Sequence, residues 1–155
     1  MLKIIKAHTE GDVPQVRELF KEYEASLGIS LCFQGFEKEL ASLPGEYAPP
    51  EGRLLLALWD GHLAGCVALR KDDHETCEMK RLYVRPQFRG KGVGRTLADA
   101  IIAEAKEIGY KKMRLDTLPS MKEAIALYQS LSFQPTASYR HNPIEGAIFM
   151  ERALF

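Results

Sequence analysis

Two periods organise the hydrophobic and polar positions of the chain. Apolar residues at three- and four-residue spacing mark helices: Val16, Leu19, Phe20, Tyr23 and Leu27; Phe36, Leu40 and Leu43; Leu97, Ile101, Ala105 and Ile108; and Ala124, Leu127, Tyr128 and Leu131. Short extended runs lie between them at residues 2–7, 53–59, 63–69, 76–84, 112–117, 137–140 and 147–154, with Met113 and Leu115 alternating against Arg114 and Asp116. Punctuation supports the boundaries. Asp12 and Pro14 open the first helix, Gly28 and Gly109 close the first and third, and Asp60-Gly61 reads as a hairpin turn. The second helix is predicted over residues 33–43 and the last over 121–132, where Ser120 followed by Glu123 has the form of a capping box. The predicted order is β, α, α, β, β, β, α, β, α, β, β. Residues 44–52 hold three prolines and two glycines but are too few to link domains, so one domain is expected over residues 1–155.

One stretch carries the chemistry. The strand ending in Leu82-Tyr83-Val84 runs into Arg85-Pro86 and then a basic, glycine-rich turn, Gln87-Phe88-Arg89-Gly90-Lys91-Gly92-Val93-Gly94-Arg95, at the start of the third helix. Glycines there let the backbone take positive φ and let a ligand approach it. The first helix amides lack intrahelical partners and sit at the positive end of the dipole, so the turn is shaped for a diphosphate. A dinucleotide fingerprint would need glycine where Arg95 stands, and a P-loop would need Ser or Thr after a Gly-Lys pair. Neither fits.

Composition narrows the partners. With 21 basic and 21 acidic side chains the formal net charge is zero, which disfavours a nucleic-acid or anionic-membrane surface and makes the basic cluster local. Cys32, Cys66 and Cys77 have no CxxC spacing, His8, His62, His74 and His141 are scattered, and no apolar run approaches the roughly 20 residues of a membrane span. The expectation is a cytoplasmic protein without metal, disulfide or membrane anchor. Cys66 and Cys77 read as small buried strand residues, not nucleophiles.

Gln87-Phe88-Arg89-Gly90-Lys91-Gly92 resembles the coenzyme A site of the GNAT superfamily of N-acetyltransferases, and the element order resembles that fold over essentially the whole chain. The resemblance implies an α/β (α+β) architecture with a mixed, mostly antiparallel seven-stranded sheet flanked by about four helices. It implies acetyl-CoA as co-substrate, held by Leu82 to Val84, by the turn from Gln87 to Arg95, and by Ala124. The family's second signature is present in Ala124, Leu127, Tyr128 and Phe133, but Ser132 stands in place of its Gly and Met121 where an Asn usually hydrogen-bonds the pantetheine arm, so that contact is either lost or supplied by Thr117 or Ser120.

Catalytic and acceptor roles follow from the same resemblance. Tyr128 is the expected acid toward the departing thiolate; read from its apolar stripe alone it is a packed core tyrosine. Glu78 is the expected base, on the strand face of Leu82 and with a pKa raised by desolvation; the alternative is a charge that is exposed or paired with Lys80. Asp116 and Glu145 stand in reserve, and the backbone N–H of Leu82 or Val84 is the expected oxyanion donor. Leu31, Cys32, Phe33 and Gln34 are implied as one acceptor wall, with Asp116 and His141 beside the cleft. The segment 139–146 is polar and punctuated, suited to gate the acceptor or meet a partner subunit. The resulting expectation is direct acetyl transfer to a primary amine, on a small molecule or peptide, with a homodimer through the last strands. A non-catalytic acyl-CoA sensor is the alternative prompted by Met121 and Ser132.

Overall fold

The computed structural model describes residues 1–7, 9–28, 30–31, 34–140 and 142–155. Its strands are β1 (Leu2–Lys6), β2 (Arg53–Trp59), β3 (His62–Lys71), β4 (Thr76–Val84), β5 (Lys112–Thr117), β6 (Gln134–Thr136) and β7 (Ile148–Ala153). The helices are α1 (Val13–Leu27), α2 (Phe36–Ser42), α3 (Val93–Ile108) and α4 (Lys122–Ser130), with 3-10 turns at Gly45–Tyr47 and Pro86–Phe88. The strands form one seven-stranded sheet in the order β1-β2-β3-β4-β5-β7-β6. All neighbours are antiparallel except β4 and β5.

The sheet is covered on both faces, which is why β2 and β3 read as nearly continuous apolar runs rather than as alternations. Leu54 and Leu56 point to α1 and α2, packing with Val16, Leu19, Phe20 and Phe36. Leu55 and Ala57 point the other way, to Leu97, Ile101 and Ala105 of α3. Gly28 and Gly109 end α1 and α3 in the left-handed conformation, at φ 68° and 109°, where a side chain would be strained.

Several boundaries differ from the sequence reading, each for a local reason. α2 begins at Phe36, because Gly35 just before it is left-handed at φ 70°. The Ser120 and Glu123 capping box does not form: α4 starts one residue later, at Lys122, with Met121 as its N-cap and no side-chain cap bond. Asp12 does not cap α1 through its side chain either; its Oδ2 accepts from Thr9 Oγ1 at 2.7 Å. The sixth strand is Gln134–Thr136, not residues 137–140. Pro135 is tolerated there because β6 is the sheet edge.

Candidate active site

A split in the sheet makes the site. β4 and β5 pair only through Thr76↔Lys112, Cys77↔Met113 and Glu78↔Arg114. Beyond that rung β4 stays with β3 as far as Val84, while β5 stays with β7 as far as Thr117, so a wedge opens between them. A β-bulge lies on the β4 side: Arg81 and Leu82 together oppose Val67, and Arg81 takes φ 61°. A left-handed arginine is unfavourable by about 1–2 kcal/mol. It is held by a two-pronged pair with Glu39, both bonds 3.0 Å, by Nη1 donating to Gln34 Oε1 at 2.7 Å, and by the Phe36 ring 5.1 Å from its guanidinium.

The bulge corrects one expectation. Without it Glu78 and Leu82 would share a face; with it the face reverses, so Leu82 and Val84 pack with the α3 cluster while Glu78 and Lys80 lie on the α2 side. Past the bulge, Arg85 N–H donates to Ala64 O at 2.8 Å. By strand alternation the peptide N–H of Val84 therefore turns away from β3, toward the wedge.

On the α3 side the wedge continues into a cleft lined by Leu82, Tyr83, Val84, Phe88, Arg89, Gly90, Gly92, Val93, Gly94, Ser120 and Ala124. Gly90 and Gly92 sit at φ 77° and 81°, and a Cβ built on either meets no atom within 4 Å. That is an open cradle at the mouth of a 16-residue helix whose N-cap, Gly92, offers no side-chain acceptor to its amides. These observations fit the diphosphate of coenzyme A. Gln87, Lys91 and Arg95 stand on the exposed rim and do not line the cleft. Arg95 donates to Ser130 Oγ at 3.0 Å, Lys91 lies 5.4 Å from the Trp59 ring, and Arg89 Nε donates to Val84 O at 3.0 Å.

On the other side lies a narrow cavity of about 40 Å³. Of the residues expected to meet the acceptor, Leu31, Gln34 and Asp116 line it, while Cys32, Phe33 and His141 lie outside the described residues. Tyr23, Leu27, Leu82 and Met121 border both spaces, so cofactor cleft and cavity meet there. Tyr128 lines the cavity, 6% exposed, with Phe133 edge-on at 5.9 Å. Among the described residues no hydrogen bond ties its hydroxyl. Burial, helped by Tyr23 and Asp116, pushes its pKa up, so the phenol keeps its proton. Thr117 lines the cavity rather than the cofactor cleft, its hydroxyl donating to Met121 Sδ at 3.6 Å.

Glu78 does not have the environment expected of a base. It is fully buried, Oε1 accepting from Arg70 Nε at 2.8 Å and from Arg140 Nη2 at 2.9 Å, and Oε2 from the Tyr139 hydroxyl at 2.8 Å. Burial alone would raise its pKa, but the charges of Lys80, Arg70 and Arg140 and the Tyr139 hydroxyl outweigh it and hold it below the ordinary value. The predicted raised pKa is therefore reversed. Tyr139 is itself gripped between Arg114 and Arg140, 5.2 and 5.3 Å from its ring. Three residues after Tyr139, Asn142 Nδ2 donates to Asp116 Oδ2 at 3.2 Å. Glu78 thus latches the β6–β7 loop over the cavity.

Three contributors were not singled out from the sequence. Tyr23 was read as part of the α1 apolar stripe, yet it borders both spaces, its pKa pushed up to about 12 by burial. Lys80 was considered only as a partner for Glu78, and a lysine inside an otherwise apolar strand was the available signal. Asn142 lay inside the segment read as a gate.

The family model described as the acetyltransferase (GNAT) family matches residues 14–133. A Schizosaccharomyces pombe protein named an uncharacterized N-acetyltransferase is 40% identical over 141 residues, covering 90% of this chain and 86% of that protein. The crystal structure of a GNAT acetyltransferase from Staphylococcus aureus superposes with TM-score 0.82 at 19% identity, covering 100% of both chains. A GNAT acetyltransferase from Elizabethkingia anophelis, solved with acetyl-CoA bound, has TM-score 0.71 at 25% identity, with 98% of this chain and 97% of that one covered. Together with a split sheet whose phosphate cradle fits coenzyme A, these likenesses establish that the chain belongs to the GNAT family of acetyl-CoA-dependent N-acetyltransferases.

Proposed function

We propose that the protein acetylates a primary amine by direct attack on the thioester, with Tyr128 as acid and Asp116 as the first proton acceptor. The observation that carries this reading is the Tyr128 hydroxyl, buried and untied among the described residues, in the cavity that meets the cofactor cleft at Tyr23, Leu27, Leu82 and Met121. Acetyl-CoA supplies an acyl thioester. An ammonium group seated in the cavity gives one proton to Asp116 and thence to solvent; the free amine forms the C–N bond as the C–S bond breaks. Tyr128 gives its phenolic proton to the departing sulfur, and the second proton shed by the nitrogen restores the phenol. Val84 N–H, turned to the wedge, is positioned to donate to the carbonyl oxygen as charge develops there.

Glu78 is excluded from the base role in this reading, because its oxygens are engaged by two arginines and a tyrosine. The test is thiol release from acetyl-CoA across an amine panel. Tyr128→Phe is expected to lower kcat by about 10²-fold or more with the KM for acetyl-CoA little changed. Amine-dependent turnover unaffected by the substitution would overturn the assignment of Tyr128. Tight acetyl-CoA binding with no turnover on any amine would favour the sensor.

A further inference from the structure

The floor of the cavity carries an unusual arrangement of charge. Lys80 is 6% exposed, and its Nζ donates to Gln34 Oε1 at 3.1 Å. Arg81 Nη1 donates to the same oxygen at 2.7 Å. Two cations thus converge on one neutral amide oxygen. Arg81 has its carboxylate in Glu39, whereas Lys80 has no carboxylate within ion-pair distance among the described residues. Glu78, the nearest balancing charge on its own strand, already serves Arg70 and Arg140. Glu78 and Asp116 act on the Lys80 ammonium only at a distance, its one hydrogen-bond partner among the described residues is a neutral amide, and a carboxylate from a bound molecule would offset the cost of burying it. The opposite sign is also present: Asp116 lines the same cavity, oriented by Asn142 Nδ2 at 3.2 Å.

Resting on the transferase reading above, we infer that the acceptor is an amino acid: its carboxylate pairs with Lys80 beside Gln34, and its ammonium meets Asp116, where deprotonation precedes attack. The cavity then selects substrates by a fixed separation of charges, and amines without a carboxylate are poor acceptors because they leave the lysine unpaired. The reaction is otherwise unchanged, with the C–N bond forming at the amino nitrogen and the carboxylate taking no part in the bond changes.

The experiment compares L-amino acids with their carboxamides as acceptors, at fixed saturating acetyl-CoA, by thiol release. The amide keeps the amine and the side chain and removes only the anion. The wild type is expected to favour acids over the matched amides by about 10- to 100-fold in kcat/KM, the range of one charge-assisted hydrogen bond. Lys80→Met is expected to bring that ratio close to one, by raising the KM for the acid while the KM for acetyl-CoA holds. Equal turnover of acids and amides by the wild type overturns the inference and leaves the transferase reading standing. No turnover of either class, with no heat of amino-acid binding to the coenzyme A complex in calorimetry, overturns it as well. Heat of binding that Lys80→Met abolishes, without turnover, supports the carboxylate subsite and refutes the transferase reading alone.

Discussion

Replacing Glu78 with glutamine separates a latch from a base. The substitution keeps the shape and one hydrogen-bond acceptor but removes the charge that Arg70 and Arg140 hold at 2.8 and 2.9 Å. Breaking one partner out of a buried ion pair costs about 3–5 kcal/mol. Here the two arginine side chains are 15% and 29% exposed and can recover some hydration, and Arg70 retains Glu46, so the lower end, about 3 kcal/mol, is expected. For a domain of this size that corresponds to a melting midpoint lower by roughly 6–12 °C.

The pH dependence fixes the sign. The folded-state pKa of Glu78 is depressed, so its contribution is complete above the ordinary value of 4.5 and is lost as pH falls through the folded-state pKa below it. Urea denaturation of wild type and Glu78→Gln should therefore differ by about 3 kcal/mol at pH 7, and the difference should shrink steadily below pH about 4. The loosened loop should also raise the acceptor KM while leaving the KM for acetyl-CoA in place. Equal stability at pH 7 combined with a kcat loss of 10²-fold or more would refute the latch and restore Glu78 as the base.

Other outcomes are expected elsewhere. Gly92→Val, which puts a branched side chain at φ 81° into the open cradle, should raise the KM for acetyl-CoA at least about tenfold, read by thiol release, with a stability loss of about 1–2 kcal/mol. Met121→Asn, which restores a polar group where both spaces meet, should tighten acetyl-CoA binding up to about tenfold by calorimetry. Burial pushes the Cys66 thiol up and the Cys77 thiol to about 12, so neither should react with a thiol reagent in the native protein at pH 8, as peptide mass mapping would show. Burial lowers the Lys80 pKa to about 8 against the opposing pull of Glu78 and Asp116, with Arg81 and Arg70 lowering it further. The KM for an amino acid should accordingly rise as pH climbs above 8, and an amide acceptor should not show that rise.

The legible part of the molecule is the part fixed by local pattern. The apolar stripes of α1 and α3, their glycine stops and the glycine-rich turn all lie where periodicity and backbone chemistry placed them. β6 and the start of α4 were misplaced because proline at a sheet edge and a Met N-cap obey no strong local preference. The bulge had no signal of its own. Glycine or asparagine would have marked a left-handed position, but Arg81 occupies it, held by Glu39 from 42 residues away. Glu78 was misjudged for the same reason: an isolated carboxylate in an apolar strand has a raised pKa, and only folding brings Arg140 from 62 positions along the chain to lower it. Asp116 and Gln34 line the cavity because they sit at the ends of elements that border the wedge.

The last rung joining β4 to β5 is Glu78↔Arg114, immediately before the strands part. Arg114 stacks on Tyr139, and Glu78 accepts from Tyr139 and Arg140, so both members of that rung also grip the β6–β7 loop. The wedge therefore has a hinge rung, and the loop beside the cavity is bolted to it. The strand pair whose parting opens the cleft therefore also carries the anchor of the loop beside the cavity.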